Sequence, residues 1–165
     1  MKENIILVLI TALLLPYTAF AAITEIYDPT SNKTNVSSTF IQINYFNSTE
    51  ATVGQFEKVI FSRTKGAYFY KLDLYLVTQD KLYCNKAEIS FKGANYPLQV
   101  IENSSTTDET NNDYITKISL DLSSAGQSLL TNNSAIITLE IDNQETISWD
   151  IGEDILNEWK TVIKY

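Results

Sequence analysis

The stretch YFYKLDLYLV, residues 68–77, decides the fold. Apolar and polar side chains alternate along it, and side chains alternate between the two faces of a β-strand. One face is therefore predicted to lie in a core and the other to be mostly solvated. The core face comprises Tyr68, Tyr70, Leu72, Leu74 and Leu76, and the solvated face comprises Phe69, Lys71, Asp73, Tyr75 and Val77.

Shorter alternating stretches on both sides of this segment predict further strands. They are separated by turns rich in Gly, Asn and Asp, a pattern typical of an antiparallel meander. Polar segments over 29–38 and 103–113 are predicted to be loops. The other predicted strands cover residues 22–28, 39–46, 56–61, 82–84, 87–91, 96–101 and 114–122, with a hairpin joining 135–141 to 145–149.

Two segments have the signature of a helix. Ser124 and Gln127 have the spacing of a capping box, which predicts a short helix near 124–130. Asp150 and Glu153 repeat that spacing, with Asp150 as the cap of a C-terminal helix that ends at 164. Apolar residues recur after it every three or four positions, so this amphipathic helix is predicted to pack on the sheet. They are Ile151, Ile155, Leu156, Trp159, Val162 and Ile163.

Taken together, these elements predict a mainly β fold. We expect an antiparallel sandwich or a curled sheet, with a short helix near 124–130 and a C-terminal amphipathic helix. An α+β arrangement is the alternative, since helices could segregate to one side of the sheet.

The first 21 residues resemble a secretory signal peptide. Lys2 precedes an apolar run over 5–15, and Ala19-Phe20-Ala21 has small residues where a signal peptidase cleaves. A membrane-spanning helix needs about 20 apolar residues, more than this run provides. We therefore predict cleavage before Ala22, a single β-rich domain over 22–165, no membrane insertion after cleavage, and export to the periplasm or the extracellular space.

Composition excludes several kinds of chemistry. The chain has a net charge of −8 and one arginine, Arg63, so it lacks the clustered cations that bind nucleic acid. It contains no histidine, which removes the commonest general base and the commonest metal ligand. Its one cysteine, Cys84, cannot form an internal disulfide. We predict no catalytic residue, no metal site and no cofactor, and we expect that the protein is not an enzyme.

Cys84 and two acidic segments leave alternatives open. Cys84 is interpreted as buried, although Lys81 or Lys86 could activate an exposed thiol and a disulfide between chains is possible. Acidic and amide side chains over residues 108–113 could bind calcium, but a solvated loop is the simpler interpretation. Glu153 and Asp154 are adjacent carboxylates that a hydrolase could use, but they fall on a predicted helix surface.

Exposed aromatic rings provide the remaining indication of function. Phe69 and Tyr75 lie on the predicted solvated face and are the candidate binding residues, since such rings can anchor a protein or stack on a sugar. The favoured hypothesis is an exported, non-catalytic binding or structural module that acts through a sheet edge or an exposed aromatic face, with a protein or glycan partner. The alternative is a carbohydrate-binding module, with or without calcium, and a carboxylate-based hydrolase is a third hypothesis.

Overall fold

The computed structural model describes residues 22–47, 52–108, 113–142 and 145–165. The predicted signal segment, residues 1–21, lies outside the described residues. Nine strands and two helices are present in the described ranges. They are β1 (Ala22–Asp28), β2 (Lys33–Asn47), β3 (Thr52–Thr64), β4 (Tyr70–Thr78), β5 (Cys84–Phe91), β6 (Ala94–Asp108), β7 (Asp113–Asp121), α1 (Gly126–Thr131), β8 (Ala135–Ile141), β9 (Glu145–Ile151) and α2 (Glu153–Lys164), with a 3₁₀ turn at Ser123–Ala125 before α1.

Eight of these strands form one closed antiparallel barrel. Their order is β2-β3-β4-β7-β6-β5-β8-β9, and β9 returns to pair with β2. Strand β1 pairs with the first half of β2 and β9 with its last two residues, so β1 and β9 share one edge of β2. The mainly antiparallel β fold and the two helices are confirmed. Of the two predicted arrangements, the curled sheet is closer to the structure than the sandwich, because β3, β5 and β6 carry bulges that bend them and the sheet closes on itself.

The strand order also corrects the predicted meander. Strands β7 and β6 lie between β4 and β5, so residues 79–83 must cross from β4 to β5 at one end of the barrel. Leu82 of this crossing packs against the core, and the Lys81 ammonium lies 5.6 Å from the centre of the Tyr114 ring on β7. Strand neighbours of this kind depend on long-range contacts, and alternation along the chain does not specify them.

The barrel interior contains the predicted core face of β4. Tyr70, Leu72, Leu74 and Leu76 are all buried, as the alternation predicts. Tyr68 is different: it lies in the loop before β4 and is 88% exposed, because the strand begins only at Tyr70. The neighbouring strands contribute Phe40, Phe56, Val59, Phe61, Ile89, Ile118, Leu120, Ile137, Leu139, Ile147 and Trp149 to the same core.

Both helices pack at the end of the barrel where β3 ends and β4 begins. The Trp159 ring of α2 stacks on Phe61 at 4.7 Å and meets Trp149 edge-on at 5.9 Å. Leu156, Val162 and Ile163 are buried beside it, and Ile155 is half-buried. The predicted apolar stripe of the C-terminal helix is therefore confirmed as a packed face from Ile155 onward, whereas Ile151 is the last residue of β9.

The predicted helix caps are wrong. Asp150 is an exposed residue of β9 opposite Ile136, and α2 begins at Glu153 after Gly152. The strand ladder keeps Asp150 extended, which places it too far from the first helical turn to cap it. Ser124 caps nothing either, and Asp121 instead accepts a hydrogen bond from the backbone N–H of Ser123 at 2.8 Å.

The two predicted loops are largely strand. Strand β2 begins at Lys33, and β6 continues to Asp108 opposite Asp113 of β7. Within the described chain, residues 103–108 of β6 pair with β7 on one side only, and their polar side chains are exposed or half-buried. They therefore lack the apolar alternation that identifies a half-buried strand.

Candidate functional site

Strands β5 and β6 separate midway along the barrel wall. Their pairing begins at Phe91 with Ala94 and ends at Ala87 with Leu98. Beyond that point, within the described residues, the first part of β5 pairs only with β8, and β6 from Gln99 onward pairs only with β7. Each strand carries a bulge there, and a bulge bends its strand away from the regular ladder. The two strands diverge, and a gap opens between them.

This gap forms a cleft of about 800 Å³, called here the β5–β6 cleft. Buried side chains of Cys84, Ala87 and Leu98 form its apolar floor, and Pro97 and Ile101 contribute to its rim. Its volume lies within the range of pockets that hold small ligands. The crossing segment 79–83 leads into β5 next to the cleft, and Tyr83 contributes to its lining.

Main-chain groups line both walls of the cleft. A strand with one hydrogen-bonded neighbour directs the N–H and C=O groups of every second residue toward its unpaired side. Residues 84–86 of β5 and 99–103 of β6 are in that situation within the described chain. The Asn103 side-chain amide reaches across and donates a long hydrogen bond of 3.5 Å to the Cys84 carbonyl. The cleft therefore presents two facing strand edges.

Carboxylates stand on both walls. Glu88 and Glu140 lie on the β5–β8 side and Glu102 lies on β6, while Lys86 is the one cationic side chain of the cleft lining. The Lys86 ammonium is 3.2 Å from the Glu140 carboxylate. One cation against three anions leaves the lining with a net charge of −2.

Glu102 is held in its ionised form. The Lys117 ammonium donates to its carboxylate at 2.5 Å, and this hydrogen bond lowers the pKa of Glu102 from its ordinary value. The same bond raises the pKa of Lys117. Both groups remain charged near neutral pH, so the negative wall of β6 persists there.

The Cys84 thiol is inert at neutral pH. Its Sγ contacts the backbone carbonyl of Lys86 at 3.3 Å, and burial raises its pKa to about 11. Lys86 pairs with Glu140, and Lys81 lies over the Tyr114 ring. Neither lysine activates the sulfur, so the structure supports the interpretation of Cys84 as a buried residue.

The two predicted binding residues, Phe69 and Tyr75, do not form one site. Tyr75 lies on the outer face of β4, whereas Phe69 precedes that strand and is 44% exposed. Tyr75 lies six positions after Phe69, which in extended chain corresponds to about 20 Å. Neither residue lines the β5–β6 cleft.

Tyr75 is enclosed by charged neighbours. The Lys58 ammonium lies 4.6 Å from the centre of its ring, and burial together with the charge of Asp73 raises its pKa. Asp73 itself is buried, with the Lys71 ammonium at 3.0 Å and the Ser119 hydroxyl donating at 2.5 Å. These contacts join β4 to β3 and β7, so this face has a structural explanation.

The remaining acidic candidates provide no enclosed site in the described part of the chain. Glu153 and Asp154 are exposed in the first turn of α2. Residues 109–112 lie outside the described residues, and calcium binding at 108–113 therefore stays a prediction. In the ranges that the structure describes, no group of three or more Cys, Asp or Glu side chains is arranged to hold a metal ion.

Comparison with known proteins gives no family for this chain. No protein-family model matches it, and neither a curated protein nor a solved structure does. Among the described residues, neither helix has the length and apolar character needed to cross a membrane. The β5–β6 cleft is therefore the candidate site, and the sequence pattern does not predict it because it depends on the strand order.

Proposed function

We propose that this chain is an exported, non-catalytic binding module that holds an extended peptide segment in the β5–β6 cleft. The observation that carries the proposal is the pair of facing strand edges across a cleft of about 800 Å³. Strand addition is a common mode of peptide recognition, in which main-chain hydrogen bonds provide affinity. A segment inserted here would find such partners on both sides.

The cleft offers a different environment to each face of an inserted strand. Side chains of an extended segment alternate between its two faces. One face would contact the apolar floor at Ala87 and Leu98, and the other would point outward among the charged side chains of the rim. Apolar and charged positions would therefore alternate in a suitable peptide.

A carbohydrate ligand has less support. Sugar-binding modules use exposed aromatic rings, but Trp149 and Trp159 are both buried in the core. The exposed Tyr83 lines the cleft, whereas other exposed aromatic residues such as Tyr27 on β1 lie apart from it, so the cleft offers one ring and not a row of rings. The cleft provides main-chain groups and carboxylates instead, which suit a peptide.

Export is part of the proposal and has its own test. The sequence of residues 1–21 predicts that the functional chain starts at Ala22. N-terminal sequencing of protein recovered from outside the cytoplasm should begin Ala-Ile-Thr-Glu. Recovery of the chain with Met1 intact and embedded in a membrane would contradict export by cleavage.

Selection from a displayed library of random short peptides tests binding at the cleft. Thr138→Trp places a bulky ring over the cleft, because Thr138 lies on β8 opposite Glu88. Thr39→Trp is the matched control, since Thr39 is also a half-buried strand residue but pairs far from the cleft. We expect selected peptides to bind wild type and the Thr39→Trp variant equally, and to bind Thr138→Trp at least tenfold more weakly.

Main-chain recognition has a separate signature. A selected peptide with N-methyl groups at alternate residues keeps its side chains but loses donors on one edge, so we expect it to bind at least tenfold more weakly. Backbone amide signals of residues 84–88 and 98–103 should shift on titration with the unmodified peptide. The proposal fails if no peptide is enriched, or if enriched peptides bind Thr138→Trp as tightly as wild type.

A further inference from the structure

We infer that the β5–β6 cleft selects peptide segments that carry a lysine or arginine side chain, with Glu88 as the main determinant of that preference. This inference rests on the proposed function. It concerns which partner the cleft accepts, and its failure can be separated from failure of peptide binding itself.

The position of the carboxylates supports a cationic ligand. Glu88 and Glu140 stand on one wall and Glu102 stands on the other, so an inserted strand would run between negative charges. A lysine or arginine in the middle of that strand could approach carboxylates on both sides. An acidic side chain in that place would face like charges, which is unfavourable.

Glu88 contributes the unbalanced charge. Glu140 already pairs with Lys86, and Glu102 already pairs with Lys117. Glu88 lies between Thr138 of β8 and Pro97 of β6, neither of which carries a charge. Its carboxylate is therefore the group that a ligand cation would neutralise.

The charge also argues against a second copy of this chain as the occupant. Strand β1 is a conceivable donor, because within the described residues it pairs only with β2 and leaves Ile26 and Tyr27 about 60% exposed. However, β1 carries Glu25 and Asp28 and no cation. Inserting it would place like charges together, in a chain whose net charge is already −8. A basic segment of another protein fits better.

The test removes one positive charge from the peptide and, separately, one negative charge from the cleft, and compares the binding affinities. A library-selected peptide containing lysine is compared with the same peptide carrying norleucine, which keeps the alkyl stem and removes the ammonium. Glu88→Gln removes the carboxylate, and Glu25→Gln makes the same charge change on β1, away from the cleft. Affinities are measured by titration calorimetry at low and at high salt.

We expect lysine to improve affinity over norleucine by about two- to fivefold in wild type, the usual effect of a partly exposed ion pair. This advantage should disappear in Glu88→Gln, persist in Glu25→Gln, and shrink at high salt because exposed charges are screened. If norleucine and lysine peptides bind equally while Thr138→Trp still abolishes binding, the charge preference is overturned and the proposed function stands. If no peptide binds at all, both are overturned.

Discussion

Arg63, the single arginine of the chain, has a structural role. Its guanidinium donates to the backbone carbonyl of Ile163 in the last turn of α2 and lies 5.9 Å from the centre of the Tyr70 ring. A cation at the C-terminal end of a helix satisfies carbonyl groups that have no partner within the helix. Arg63 therefore links β3 to the C-terminal helix, and it is not available as an anion-binding residue.

Gly126 allows a close contact that no other residue permits. A Cβ atom added at this position would lie 2.5 Å from Cε2 of the buried Tyr70 ring. Gly126→Ala should therefore lower the free energy of unfolding by about 1–3 kcal/mol, although alanine is normally the better helix residue. Chemical denaturation monitored by fluorescence measures the change.

Gly152→Ala is the matched control for this experiment. Nothing lies within 4 Å of a Cβ placed at Gly152, and its φ of −72° suits any residue. Gly152 is the N-cap of α2, where alanine is less favourable than glycine, so we expect a loss of less than about 1 kcal/mol with no steric contribution. Equal effects of the two substitutions would show that Tyr70 moves freely and that the contact does not constrain the barrel end.

Cys84 should make the protein less stable in alkali. Burial raises its pKa to about 11, whereas an unfolded cysteine ionises near pH 8.5. Between these values the unfolded chain releases a proton that the folded chain retains, so the free energy of unfolding falls as the pH rises. The thiol should account for a loss of roughly 1 kcal/mol between pH 8 and pH 10.

Cys84→Ala isolates this contribution. The variant loses packing at every pH, but its stability should decline less steeply between pH 8 and pH 10 than that of wild type. Tyr45 and Tyr75 also have raised pKa values, and both remain in the variant, so their effects cancel in the comparison. Parallel curves for the two proteins would mean that the thiol is solvated.

At the level of elements, α2 is an integral part of the core. Trp159 stacks on Phe61 and meets Trp149, and its side chain is almost fully buried. Trp159→Ala should lower the free energy of unfolding by about 3–5 kcal/mol, the usual loss for a buried large aromatic residue. Urea denaturation of the full chain gives the value.

Asp150→Ala distinguishes the strand assignment of Asp150 from the predicted cap. As an N-cap, Asp150 would contribute about 1 kcal/mol, but as an exposed strand residue it should contribute less than about 0.5 kcal/mol. A loss of 1 kcal/mol or more in Asp150→Ala would show that Asp150 does cap α2. For the Trp159→Ala variant, an unchanged denaturation midpoint would show that α2 is not docked on the barrel.

Local patterns predicted some elements well and others poorly, for physical reasons. The burial of Leu72, Leu74 and Leu76 follows from alternation, and the burial of Trp159 follows from helical spacing, because both depend on neighbours along the chain. The sequence does not indicate that residues 103–108 form a strand, because their side chains are all polar and provide no apolar face. Strand identity could be predicted where one face is buried against the core.

The candidate site could not be predicted in the same way. The β5–β6 cleft forms where β5 and β6 diverge beyond a bulge in each strand, after pairing over 87–91 and 94–98. Glu88 and Glu102 come from different strands, and no spacing in the sequence indicates that they face one gap. Phe69 and Tyr75 are predicted to share a strand face, but Phe69 precedes the strand.

For the whole molecule, strand β1 should be the least protected part of the sheet. It pairs only with β2 within the described residues, whereas β4 and β7 each have a partner on both sides. In hydrogen exchange followed by mass spectrometry, peptides from 22–28 should exchange fastest of the strands and those from β4 and β7 slowest. Protection of β1 equal to that of β4, increasing with protein concentration, would instead mean that a second copy covers its edge.

Closure of the barrel has a consequence for how the chain reaches its native state. The closing pair joins Asn47 to Ile147, 100 positions further along the chain. Contacts so distant in sequence form late and slowly, because the intervening chain loses much entropy when its ends meet. Until then the edge of β2 is open, and open edges of folding intermediates recruit strands of other chains. The local β1–β2 hairpin covers the first half of that edge, so β1 can limit aggregation during folding although it contributes little to the native core.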